Sequence, residues 1–87
     1  MAGAYEPRYS SVFTADLKKL EPAVRQRVVN AIETKLLHDP YRHGRKLVGI
    51  KGLGLWRFRV GDYRVRFDIE GRWLHLYRVL HRREVYE

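Results

Sequence analysis

Leu55-Trp56-Arg57-Phe58-Arg59-Val60-Gly61-Asp62-Tyr63-Arg64-Val65-Arg66-Phe67-Asp68-Ile69-Glu70-Gly71-Arg72-Trp73-Leu74-His75-Leu76-Tyr77-Arg78-Val79-Leu80 alternates apolar and polar side chains along most of its length. That alternation is the mark of half-buried strands. It is interrupted at Gly61-Asp62 and again at Glu70-Gly71, glycine-containing pairs of the kind that close two-residue hairpins. The stretch predicts a three-stranded antiparallel meander.

The hairpins set a register. With Gly61-Asp62 as the first loop, Val60 pairs with Tyr63, Phe58 with Val65 and Trp56 with Phe67, while Arg59 faces Arg64 and Arg57 faces Arg66. With Glu70-Gly71 as the second, Phe67 pairs with Leu74, Val65 with Leu76, Arg66 with His75 and Arg64 with Tyr77. A slip of one residue would turn every side chain over, whereas this register sets apolar against apolar. One face is then core, and the other carries Arg57, Arg59, Arg64 and Arg66 beside His75 and Tyr77. Like charges opposed across a sheet are destabilising. A solvated face whose guanidinium groups splay into water is one explanation; a polyanion held by their planar forks is the other, with phosphate as its natural form.

Upstream, Ala4 to Tyr9 suits a short strand, and Pro7 confines it to an edge or a strand end. Ser10-Ser11 offers an N-cap. Phe13, Leu17 and Leu20 follow at helical spacing, with Asp16, Lys18 and Lys19 expected to turn outward. Pro22 fits the first position of a second helix, in which Val24, Val28, Ile32 and Leu36 recur every four residues. The Asp39-Pro40 step closes it. Residues 10 to 38 therefore predict a helical hairpin that covers the core face of the sheet. Tyr41 to Arg45 is expected as a loop, Lys46 to Ile50 as a short strand or turn, and Lys51-Gly52-Leu53-Gly54 as a glycine-rich bend. The fold class is α+β over one domain, residues 1–87: a helical hairpin packed on a small, mainly antiparallel sheet.

Composition narrows the function. The chain has no cysteine, so disulfides and thiolate metal sites are excluded. His38 and His43 flank Pro40 without partners at ligand spacing, and neither a metal nor a cofactor is expected. No apolar run reaches membrane-spanning length, the N-terminus lacks a signal-peptide pattern, and a cytoplasmic location is expected. A formal net charge of +8 and a pI near 10.2 favour nucleic acid or an acidic protein as partner.

Taken whole, the chain resembles the RelE/ParE superfamily of toxins from toxin–antitoxin pairs. The likeness runs through the helical hairpin, Lys46-Leu47-x-Gly49, Trp56-Arg57-Phe58-Arg59-Val60-Gly61-Asp62-Tyr63-Arg64 and Val79-Leu80-His81-Arg82-Arg83-Glu84-Val85-Tyr86. The resemblance implies a compact ribonuclease that cleaves messenger RNA in the ribosomal A site without a metal. It also implies a cognate RelB-like antitoxin that wraps around the toxin. Carried over by position, the family's functional residues fall on Arg57, Arg59, Arg64, Arg82 and Tyr86. The best-known RelE pattern has lysines where this chain has Arg57 and Arg59.

Cleavage of RNA through its own 2′-hydroxyl needs a base, charge neutralisation at phosphorus and an acid for the leaving oxygen. Arginines suit the second task and, always protonated, suit the others poorly. Tyr86 and His81 are the candidate proton carriers: the first needs neighbouring cations to act as a base, and the second titrates near neutrality. Arg59, Arg64, His81, Arg82 and Tyr86 form the expected catalytic set, with Arg57, Arg66, His75, Tyr77 and Arg83 as RNA contacts. Each has a plainer reading, Tyr86 as a packing aromatic and His81 as a hydrogen-bonded strand end. Trp56 belongs to the core face, while Trp73 lies near a turn on the polar face, where it can stack on a base. A gyrase-directed toxin of the ParE type and an inactive RNA- or antitoxin-binding module are the alternatives.

Overall fold

The computed structural model describes residues 4–84. The chain runs β1 (Glu6–Tyr9), α1 (Ser11–Lys18), α2 (Pro22–Ala31) with a π-helical turn (Ile32–Leu36), and α3 (Pro40–His43). It continues through β2 (Gly44–Lys46), β3 (Trp56–Val60), β4 (Tyr63–Glu70) and β5 (Trp73–His81) to a 3-10 turn (Arg82–Glu84). One five-stranded sheet has the order β1-β5-β4-β3-β2, antiparallel except where β1 runs parallel to β5. This is the α+β architecture expected, with the helices packed on one face. Among the described residues no helix is long and apolar enough to cross a membrane.

The core lies between that face and the helices. Phe58, Val65, Phe67, Leu74, Leu76 and Val79 from the sheet meet Phe13, Val28, Ile32 and Leu36 from the helices. A side-chain repeat of four overshoots the 3.6-residue α-helical turn. The wider turn, in which the Leu37 amide bonds back to Ile32 O at 2.9 Å, brings Leu36 back over the core. Trp56 packs at the margin, edge-on to Tyr41 with ring centroids 5.4 Å apart.

The β3–β4 register is the expected one, with Arg57 opposite Arg66 and Arg59 opposite Arg64. The β4–β5 register is not. Glu70 pairs with Trp73, so the loop is Gly71-Arg72. Gly61 and Gly71, at φ +56° and +60°, are each the first loop residue, and among the described residues no non-glycine residue has positive φ. That is the requirement of a type II′ turn; Glu70-Gly71 as the loop would set glutamate where glycine is needed. Phe67 consequently faces Leu76. Between Arg66 and Phe67 the register shifts again at a bulge: Tyr77 is left without an opposite residue, Arg66 faces Arg78, Arg64 faces Leu80 and Tyr63 faces His81. The expected pairings of Arg66 with His75 and Arg64 with Tyr77 are therefore corrected.

Asp16 also departs from expectation. It is buried, with 8% of its surface exposed, rather than turned outward. β1 pairs with β5 only as far as Leu76, and beyond it α1 lies along the strand. Ser10 Oγ caps α1 by accepting from the Phe13 amide at 2.9 Å and donates to Tyr77 O at 3.0 Å. Asp16 Oδ2 accepts from the Val79 amide at 2.9 Å. The helix thus satisfies edge groups that a longer strand would have paired. Tyr41 to Arg45 is likewise no simple loop: α3 occupies its first part, and Arg45 lies in β2, which stops at Lys46.

Candidate functional site

On the face away from the helices, the registers line up arginines across the strands. Arg45 faces Arg57, Arg57 faces Arg66 and Arg66 faces Arg78, giving a row of four over β2, β3, β4 and β5. Neighbouring strands lie about 4.8 Å apart, so the row is continuous. Next to it, toward the Gly61 turn, Arg59 faces Arg64. The four arginines expected on one face are brought together there, and Arg45 and Arg78 extend them.

Several of these guanidinium groups are held in place. Arg64 Nη1 donates to the carbonyls of Gly61 and Tyr63, both at 3.1 Å. Arg66 Nε donates to Gly54 O at 2.6 Å. Arg78 Nε donates to Asp16 Oδ2 at 2.9 Å, and that bond holds its proton more firmly than usual. The segment from Leu47 to Leu55 is tied onto this face, because Asp68 accepts from the amides of Gly54 and Leu55 at 2.9 and 2.7 Å. Gly54 has φ +73°, and a Cβ there would come within 3.2 Å of the Arg66 Cβ, which explains glycine at this approach.

The far end of the same face is acidic and self-paired. His75 stands opposite Asp68, away from the arginine row, and its Nε2 donates to Glu70 Oε1 at 2.9 Å. Its ring stacks on Tyr77, centroids 6.3 Å apart. Burial raises the Tyr77 pKa first, followed by the charges of Asp68 and Glu70 and a hydrogen bond to Asp68. Tyr77 is thus a protonated donor and not a base. Trp73, 40% exposed, already carries the Arg8 guanidinium 4.2 Å above its ring.

At the other end the bulge changes the expected geometry. His81 faces Tyr63 in register, their rings edge-on at 5.1 Å, and Tyr63 packs against the core. The histidine is thus on the helix side of the strand end, opposite the arginines. Its Nδ1 accepts the Arg83 amide at 3.2 Å. Arg82 and Arg83 are exposed on the 3-10 turn. The Arg82 amide donates to Asp62 O at 2.7 Å, and its Nε lies 3.8 Å from Asp62 Oδ1. Tyr86 lies outside the described residues. Among the described residues no three His, Asp or Glu side chains gather as a metal-holding group.

The arrangement can therefore bind several phosphates at once and oppose charge that develops on one. Two members of the row escaped the sequence reading. Arg45 was hidden because β2 has only three residues, too few to show alternation. Arg78 had a signal: the apolar positions Leu74, Leu76 and Val79 break the period of two, as an inserted bulge residue does.

Several known proteins are similar to this chain. The family described as the ParE toxin of the type II toxin–antitoxin system, parDE, matches residues 8–86. Toxin RelE3 of Methanocaldococcus jannaschii is 30% identical over 83 residues, covering 91% of this chain and 92% of the relative. In the toxin–antitoxin complex RelBE2 of Mycobacterium tuberculosis, a chain 29% identical superposes with a TM-score of 0.81, over 90% of this chain and 98% of that one. A chain of the RelB-RelE antitoxin–toxin complex from Methanococcus jannaschii is 25% identical with a TM-score of 0.67, over 90% of this chain and 93% of that one. By sequence and by fold, the chain belongs to the RelE/ParE superfamily of type II toxin–antitoxin toxins.

Proposed function

We propose that the protein is the toxin of a cytoplasmic toxin–antitoxin pair and a metal-independent endoribonuclease that cleaves messenger RNA on the ribosome. The carrying observation is the arginine face, with Arg57 opposite Arg66 and Arg59 opposite Arg64. Phosphate relieves the repulsion of such pairs, and their planar forks bind it in bidentate fashion. Arg64, fixed by the Gly61 and Tyr63 carbonyls, is oriented before substrate arrives; preorganised charge of this kind is where electrostatic catalysis gains most.

In this reading Arg59, Arg64 and Arg82 neutralise charge at the scissile phosphate, and Arg57, Arg66 and Arg83 hold the strand. His75 and Tyr77 support the face from its acidic end. Proton movement falls to Tyr86 or His81. In His81 it is Nε2, the ring nitrogen that does not meet the Arg83 amide, that would exchange a proton with RNA reaching round the end of β5. An antitoxin partner is supported by the relatives, whose solved complexes are toxin–antitoxin pairs, and by the +8 charge available to an acidic segment.

The test is translation in vitro with purified ribosomes, followed by mapping of messenger 5′ ends. New ends at A-site codons are expected. The family description favours a second reading, a ParE-type inhibitor of DNA gyrase. Intact messenger together with blocked supercoiling would establish that one instead.

A further inference from the structure

Arg42, His43, Gly44, Arg45, Arg57 and Arg59 line a cleft of about 330 Å³ at the β2 edge of the sheet. Among these residues there is no carboxylate. α3 supplies Arg42 and His43, and β2 supplies Arg45, directly across from Arg57. The C-terminal end of a helix favours cations, which accounts for Arg42 and His43 but not for Arg45, set against another arginine in a strand. Arg57 and Arg59 belong both to the cleft and to the arginine face, so the two surfaces are continuous around the edge of the sheet.

We propose that this cleft is a second phosphate subsite. It holds a phosphodiester of the same single-stranded RNA, displaced along the strand from the one held at Arg59 and Arg64. The inference rests on the ribonuclease reading and adds where the substrate continues. Arg42 and Arg45 grip the backbone, and since neither acts on the reacting atoms they are positioning residues. Its four arginines, Arg42, Arg45, Arg57 and Arg59, match phosphate.

The experiment measures binding by fluorescence anisotropy over a salt series. The probes are a 2′-O-methyl pentanucleotide, which cannot be cleaved, and a dinucleotide too short to reach the cleft. For Arg42→Gln/Arg45→Gln, pentanucleotide affinity is expected to fall about tenfold, and its log–log salt slope by about 0.7 for each phosphate released. The dinucleotide loss is expected to be distinctly smaller, a contrast that a general structural defect would not produce; a melting curve checks the fold. An unchanged pentanucleotide slope, with the parent still binding, overturns the subsite and leaves the ribonuclease reading standing. Loss confined to an acidic polyglutamate peptide overturns it too and gives the cleft to an acidic protein partner. A parent that binds neither RNA overturns the subsite, while the ribonuclease reading stands or falls with cleavage on the ribosome.

Discussion

Asp16 and Arg78, 62 positions apart in the chain, are joined at 2.9 Å on the outer edge of β5. The same carboxylate oxygen takes the Val79 amide. This one acid neutralises the last member of the arginine row and closes the strand edge that β1 leaves open. Asp16→Ala is expected to cost about 2–3 kcal/mol, since it removes hydrogen bonds to a charged acceptor and strands a buried amide. Arg78 is 46% exposed, so the ion pair itself adds little to that figure. For a domain of this size, a loss of about 10 °C or more in Tm follows. Asp16→Asn, which keeps an acceptor for Val79, should lose less, and thermal melts of the two variants check the order.

Gly44 sets how β2 meets the sheet. A Cβ at this position would lie 2.5 Å from Phe67 Cζ and 2.7 Å from Pro40 O. One obstacle is a fully buried ring and the other is backbone, so neither can give way cheaply. Overpacking of this sort costs about 1–3 kcal/mol. Gly44→Ala should therefore melt about 5–15 °C below the parent. A variant as stable as the parent would show that β2 shifts freely, and the place of Arg45 in the row would then be loose as well.

Tyr77 makes a prediction for alkaline solution. Its pKa is raised from 10.0 by burial, then by Asp68 and Glu70. A raised pKa gives stability that is fully present below the unfolded value. That stability is lost as pH climbs through the folded value. The decline should begin near 10 and extend above it. Urea unfolding from about pH 9 to about pH 12 measures the slope. Tyr77→Phe is expected to flatten it, leaving the part from Tyr9, whose pKa burial and Glu33 also raise.

Cleavage kinetics separate the proposed roles. Arg64→Ala should slow single-turnover cleavage on programmed ribosomes by about 10²–10³, the usual loss when one preorganised donor is removed. Tyr86→Phe should cost about 10² or more if its phenol moves a proton. His81→Gln then apportions the role: a large loss there beside a mild one at Tyr86→Phe moves proton transfer to the histidine. Full activity in both variants would falsify the pair as proton carriers.

How much of this was legible depended on local chemistry. The β3–β4 pairing could be read because Gly61-Asp62 is bounded on both sides by unbroken alternation. The next pairing was misread by one loop position, since glycine sits beside glutamate on one side and arginine on the other. Only the φ demanded of the first loop residue tells the two apart. That error and the bulge moved His75 away from Arg66 and set His81 opposite Tyr63. Asp16 looked exposed because helical spacing describes a helix's own faces. It cannot report a strand edge left open more than sixty residues later.

The parallel pairing of β1 with β5 has a consequence for the order of events during synthesis. The first strand made finds its partner only in the last: Glu6 waits for Trp73, and Asp16 for Val79. Contacts this distant in sequence close late and slowly. A nascent chain that has reached Glu70 holds its helices, β3 and β4, with nothing beside β4 on the β5 side and no fourth arginine in the row. Such a fragment is expected to show no cooperative melt, which circular dichroism of a chain ending at Glu70 can test. The chain therefore becomes a complete toxin fold only once β5 has been added.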